Sequence, residues 1–373
     1  MRPMKVINKF EKVLTDYQLA DICVNPQYCS KTRHKLSKCS RCFENCPAQA
    51  IEWNDGFLTI NPDKCTGCGI CSNICPNGVF QSLKPDNIEL LSKIKSLLSN
   101  QQDIVFKCNS DGNGTQSNAI LVPCLARIDI SILVACAAMG AKNIWMTVGN
   151  CRECKYKSCL GIVRETVNDT NRLLEFLGVS GNIGINNDTN SEPKAQIISR
   201  REFFSNLAQE TKTFSSRILN TLDQNKKPLK RQGSLPTYLP LKRKILIESL
   251  HKLESLHKLE YKTGSFTDSP LFCKFAVNDN CTGCQMCAFF CPTGALEKVN
   301  INGKYEIAFK ISNCTTCGLC QDICYRQAVH LQHPVDFRTV MDGSVESVIN
   351  VKQSTEPQEY RDSDLVRSIL SKR

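Results

Sequence analysis

The stretch Cys281-Thr282-Gly283-Cys284-Gln285-Met286-Cys287-Ala288-Phe289-Phe290-Cys291-Pro292 spaces four cysteines as C-x2-C-x2-C-x3-C and closes on proline. Three thiols three residues apart wrap a short loop around one face of an iron–sulfur cube, and the fourth points away toward the second cube of a pair. A second run follows at Cys314, Cys317, Cys320 and Cys324. Near the N-terminus, Cys65, Cys68, Cys71 and Cys75 precede Pro76, and Cys29, Cys39, Cys42 and Cys46 precede Pro47. In the last of these runs nine residues separate the first two cysteines instead of two. The spacing puts the fourth cysteine where a helix begins, with proline at its first position. Small residues between the ligands (Thr66 and Gly67, Thr282 and Gly283) let backbone N–H groups approach sulfur.

Crossing the fourth cysteine to the partner run predicts four ligand sets. They are Cys29, Cys39, Cys42 and Cys75; Cys65, Cys68, Cys71 and Cys46; Cys281, Cys284, Cys287 and Cys324; and Cys314, Cys317, Cys320 and Cys291. Four [4Fe–4S] clusters are therefore expected. Cys23 is an alternative to Cys29 as first ligand of the irregular run.

The chain has 373 residues and 24 cysteines. Residues 1–19 mix charged and apolar side chains without the apolar core of a secretory signal. Metal ligation in a reducing, cytoplasmic setting is thus expected over disulfides. The longest apolar stretch, Ile130–Ala141, is too short to span a bilayer. Arg200-Arg201 resembles an export motif but lies mid-chain without a following apolar region. The formal charge of +11 is largely offset by cluster sites, each a dicationic core held by four thiolates, so nucleic acid is not the expected partner. The remaining basic residues, Lys226, Lys227, Lys230, Arg231, Lys242, Arg243 and Lys244, form either a solvated face or a docking element for an anionic redox protein.

Organisation follows composition. Residues 1–85 read as a leading helix and a first dicluster module, with a hairpin turning at Asp55-Gly56. Residues 100–188 alternate strand and helix patterns, which implies a small parallel α/β sheet. Residues 189–270 read as a basic helical linker; its tandem repeat, Glu248–Leu253 and Glu254–Leu259, reads as a solvated spacer with His251 and His257 on the surface. Residues 271–335 form a second module, turning at Asn302-Gly303, and 336–373 a polar tail.

Eight cysteines remain. Cys108, Cys124 and Cys151 follow predicted strands, so they converge at one edge of a parallel sheet. Cys124, Cys151, Cys154 and Cys159 are candidates for a fifth site, with Cys108 an alternative ligand. An iron–sulfur cluster, zinc and plain buried thiols all fit that spacing. Cys23, Cys136 and Cys273 read as structural.

The end segments resemble bacterial-type 2[4Fe–4S] ferredoxins. The middle, through Val122-Pro-Cys124-Leu-Ala-Arg-Ile-Asp129, Gly140-Ala141 and Val148-Gly-Asn-Cys151, resembles the delta (iron–sulfur) subunit of methyl-viologen-reducing hydrogenase. These resemblances imply α+β ferredoxin-like dicluster modules flanking a small α/β parallel-sheet domain. They imply a protein relaying single electrons between a low-potential donor and a partner oxidoreductase. An accessory or maturation subunit of a molybdenum oxidoreductase or hydrogenase is the alternative. No dinucleotide fingerprint, phosphate loop or nucleophile elbow is present, and Asp111-Gly-Asn-Gly114 reads as a turn, so stand-alone catalysis is not expected.

Overall fold

The computed structural model describes residues 22–54, 56–82, 85–108, 118–151, 153–154, 159–179, 181–186, 235–257, 271–301 and 304–348. The expected leading helix, the hairpin residues Asp55 and Asn302-Gly303, the 111–114 turn and the basic residues 226–231 lie outside these.

In the first module, β1 (Ile22–Val24) pairs antiparallel with β4 (Phe80–Ser82), closing the ends of the segment on each other. Between them, β2 (Ile51–Asn54) and β3 (Phe57–Ile60) form the expected hairpin, with Ile51 opposite Ile60. Helices α1 (Ser30–Arg33), α2 (Arg41–Asn45) and α3 (Ile70–Ile74) carry the cysteine loops. Ile22, Ile51, Leu58, Ile60, Val79 and Phe80 pack with the thiols in one small core. A core this small stabilises a module only marginally by itself.

The middle domain holds a parallel sheet in the order β6-β5-β7-β8, from β5 (Asp103–Cys108), β6 (Ile120–Val122), β7 (Asn143–Thr147) and β8 (Asn182–Asn186). Helix α4 (Asn87–Leu98) starts at a capping box: Asp86 accepts from the Glu89 N–H, and Glu89 accepts from the Asp86 N–H. Helix α5 (Ile130–Ala138) is apolar nearly all round and is buried accordingly. Helix α6 (Cys159–Phe176) buries Val163, Val167, Thr170, Leu173 and Leu174, a helical stripe.

The buried surroundings of α5 are completed from the linker. Helix α7 (Leu241–His257) packs along α5 and buries Ile245, Leu246, Leu250 and Leu253. This corrects the expected solvated spacer. The first copy of the tandem repeat supplies core leucines, whereas Leu256 of the second copy is 43% exposed and Leu259 lies outside the described residues. His251 is exposed as expected.

In the second module, β9 (Lys274–Val277) pairs with β12 (Val329–Gln332), and β10 (Leu296–Ile301) pairs with β11 (Lys304–Lys310). The loops lead into α8 (Met286–Phe290) and α9 (Leu319–Asp322). The first part of the expected polar tail is folded: α10 (Phe337–Met341) buries Phe337, Val340 and Met341, and β13 (Val345–Val348) adds to β11. Phe337 meets Phe176 and Phe272 edge-on, at 5.6 and 5.7 Å between centroids. Apolar residues inside a polar stretch explain the difference. Among the described residues no helix is long and apolar enough to cross a membrane.

Candidate iron–sulfur centres

The loops repeat one backbone design. In three of them the residues flanking the second cysteine are left-handed: Gly67 and Gly69, Gly283 and Gln285, Thr316 and Gly318. That conformation turns successive N–H groups inward, which glycine allows without steric cost. The Gly283 and Thr316 N–H groups reach Cys281 and Cys314, and those of Ile70 and Leu319 reach Cys68 and Cys317. The third cysteine then lies in a short helix, and the fourth follows that helix instead of starting one. Cys46, Cys75 and Cys291 cap its C-terminus. This corrects the expected helix start: a residue before proline is pushed out of the helical region, so the helix stops there.

Three residues beyond each fourth cysteine a left-handed residue recurs, at Gln49, Gly78, Gly294 and Gln327. It bends the chain back so that the next N–H meets sulfur, Ala50 to Cys46 Sγ and Ala328 to Cys324 Sγ, both at 3.3 Å. The irregular first loop departs from the design. Ser40 has φ −130°, and α1 fills the long gap between Cys29 and Cys39.

In both modules, thiols of one run have thiols of the partner run as electrostatic neighbours. Burial, then Cys75, Cys29 and Cys39, pushes the Cys42 thiol up to about 12. Cys23 is not among these neighbours, and on β1 it lies opposite Gln81. Cys71 is raised well above the ordinary thiol value by burial and by Cys68, Cys65, Cys46 and Cys75, the last from the neighbouring set. Cys287 is raised by burial and then by Cys284, Cys281 and Cys324. Cys320 is raised by burial, then Cys317, Cys314, Cys291 and Cys287, the last from the neighbouring set. Clustered buried thiols resist ionising together; bound iron reverses this, because a coordinating thiol is deprotonated outright. The donor sets, with N–H groups aimed at sulfur, fit [4Fe–4S] clusters. Among the described residues no three His, Cys, Asp or Glu side chains close tightly enough around one point to enclose a single metal ion.

Two cationic side chains of the basic run lie beside these thiols. Arg243 is buried and donates to Ser312 O and Leu271 O at 2.8 Å and to Ile311 O at 3.1 Å. Its pKa is lowered to about 10 by burial, against the pull of Cys314 and Cys273. Lys242 Nζ donates to Ser72 O and Asn73 O, close to Cys75 and Cys71. Neither is free for an external partner, which corrects that part of the basic docking element. Cys273, read as merely structural, sits with Sγ 3.6 Å from Cys314 Sγ.

In the middle domain Cys124 lies just beyond β6, and Cys159 opens α6. A hydrogen bond with Cys159 lowers the Cys124 thiol to about 7, although burial opposes this. Cys124 also lies close enough to raise Cys68 of the first module. Cys108 ends β5, and Cys151 and Cys154 occupy the loop after β7; all three are half-buried. Cys136 is fully buried inside α5, in keeping with a structural role.

Fold and thiol sets together define a class, proteins built to hold iron–sulfur clusters. Residues 58–81 match the 4Fe-4S binding domain family, residues 280–328 the 4Fe-4S dicluster domain family, and residues 109–206 the methyl-viologen-reducing hydrogenase delta subunit family. An uncharacterized ferredoxin of Methanocaldococcus jannaschii is 40% identical over 48 residues, 13% of this chain and 77% of that protein. A second ferredoxin from the same organism is 51% identical over 39 residues, 10% of this chain and 24% of its own length. Pyruvate synthase subunit PorD of Thermotoga maritima is 37% identical over 62 residues, 16% of this chain and 61% of that subunit. The chain thus spans about a quarter of one of these relatives and under two thirds of another. No solved structure matches it. The chain belongs to the 4Fe–4S ferredoxins, and the segment between its end modules is similar to the hydrogenase delta subunit.

Proposed function

We propose that this chain is a multi-cluster electron-transfer protein that relays single electrons between a low-potential donor and a partner oxidoreductase. The observation that supports the reading is the nearness of thiols from partner runs in both modules, Cys42 to Cys75, Cys71 to Cys46, Cys287 to Cys324 and Cys320 to Cys291. On this reading the four ligand sets are those predicted above, each holding one [4Fe–4S] cluster. When bound, such a cluster takes up and gives back one electron.

The protein's own part is to hold, shield and bias. The N–H donors to sulfur stabilise thiolate, and the surrounding side chains exclude water. Arg243 beside Cys314 and Lys242 beside Cys75 offset the anionic sites. The middle-domain set of Cys124, Cys151, Cys154 and Cys159, with Cys108 as alternative, is proposed as a fifth site, for an iron–sulfur cluster or zinc. The proposed units are a first module to residue 85, the α/β domain at 100–188, a linker to 270 and a second module to 335. A reducing, cytoplasmic compartment suits exposed and half-buried thiols such as Cys284 and Cys281.

Protein purified without oxygen should be brown, hold about sixteen irons in its end modules (four per site) and show reduced-cluster EPR signals. Fewer than about eight irons per chain would defeat the two-module reading. A second reading, an accessory subunit of a larger redox enzyme, is favoured by the similarity to a pyruvate synthase subunit. Recovery of a partner from extract tests it, provided deletion of residues 189–234 abolishes recovery.

A further inference from the structure

The two modules stand at opposite ends of the chain, yet their cysteine loops face each other. Asn77, two residues beyond Cys75, is buried at 3% exposure. Its Nδ2 donates to Ser30 Oγ at 2.9 Å, and its Oδ1 accepts from Thr315 Oγ1 at 3.0 Å. Ser30 follows Cys29, and its own side chain hydrogen-bonds the Cys317 thiol. Thr315 follows Cys314. Arg33, one turn beyond Cys29, donates to the carbonyls of Phe290, Cys291 and Pro236 and lies close to Cys317. The Lys38 N–H donates to Asp322 Oδ2 at 2.9 Å, and His34 packs edge-on against Phe290 at 4.8 Å.

Apart from the bond of Arg33 to Pro236 in the linker, each contact joins the same two thiol sets. On one side stand Cys29 and Cys75, and on the other Cys291, Cys314 and Cys317. A seam needed only for cohesion would be cheaper to build from apolar side chains, because buried polar groups must all be satisfied. Here the buried polar groups are attached to the neighbours of ligand cysteines. The long gap between Cys29 and Cys39 also gains a purpose, since it contains Ser30, Arg33, His34 and Lys38.

We infer that electrons pass between the modules across the Ser30–Asn77–Thr315 contact, so that the clusters form one series. The Cys29/39/42/75 and Cys314/317/320/291 sites are its inner pair. The Cys46/65/68/71 and Cys281/284/287/324 sites are its outer ends, and Cys124 of the middle domain adjoins the first of these through Cys68. The step is a single-electron exchange: one site loses the electron that the facing site gains. No bond forms or breaks, and no proton moves. The inference rests on the quartets being cluster ligands, and the test separates the two.

The full-length double variant Cys68→Ala, Cys284→Ala removes one ligand from each outer site. Purified without oxygen and reduced, it should keep about eight irons in its end modules, and the EPR signals of those two clusters should be broadened and split by each other. Eight irons with two magnetically isolated signals would overturn the seam and leave the cluster reading intact. Unaltered protein with fewer than about eight irons overturns the cluster reading, and the seam with it. Should the double variant come out without iron, the single variants Cys68→Ala and Cys284→Ala answer the same question. In each, the surviving inner cluster of the depleted module must be broadened by the intact module, and a sharp, isolated signal from it overturns the seam.

Discussion

Lys242 Nζ donates to the main-chain oxygen of Asn73 at 2.6 Å, which pins a helix from the linker onto the loop that carries Cys71 and Cys75. A second donation, to Ser72 O at 3.1 Å, fixes the same point. The cation thus replaces the helical partners that the last carbonyls of α3 lack.

Removing that cation should weaken the module. Lys242→Met leaves both carbonyls without their donor, and stability should fall by about 1–3 kcal/mol. Chemical denaturation of the loaded protein, followed by loss of the visible cluster band, measures it. An unchanged midpoint would show that the contact contributes nothing.

Arg243 makes three main-chain bonds, and its guanidinium lies 4.3 Å from the Phe272 ring centroid. Its charge sits near Cys314, where it favours the more negative, reduced state of a cluster at that site. Arg243→Leu should therefore lower the reduction potential of one cluster and leave the other three unmoved. A redox titration followed by EPR resolves this, and a uniform shift of all four signals would contradict it.

The two copies of the linker repeat should respond differently. Leu253 is fully buried against the middle domain, whereas Leu256 is 43% exposed. Leu253→Ala should cost about 2–5 kcal/mol by opening a cavity. Leu256→Ala should stay within about 0.5 kcal/mol. Equal effects on the unfolding midpoint would return the repeat to the role of a solvated spacer.

Cys124→Ser tests the middle domain. Metal content should fall by that of one site, and the EPR signals of the end modules should persist. Loss of the first module's iron would instead make Cys124 a prop for that module, through its nearness to Cys68.

Much of this was legible in order along the chain. The strands at Asp103–Cys108 and Asn143–Thr147, and the helix ending before Gly140, follow from apolar periodicity and punctuation. The expectation of crossed grouping follows from cysteine spacing, because three ligands wrap one cube and the fourth cannot reach it. Lys242 and Arg243 were not legible in this way. A basic run reads as solvated unless something distant supplies acceptors, and their acceptors lie at residues 72, 73, 271, 311 and 312. Phe337 and Leu253 were hidden for the same reason, since polar neighbours masked side chains that pack on remote elements.

Sequence alone therefore determined the local chemistry: which thiols share a loop, where the backbone must turn, and that iron–sulfur clusters are the cofactor. Those features depend on spacing over a few residues, which covalent geometry carries directly. Only the tertiary structure decided that Ser30 meets Cys317 and that Asn77 meets Thr315. Contacts between segments more than 200 residues apart depend on how whole modules pack, and no local pattern encodes them.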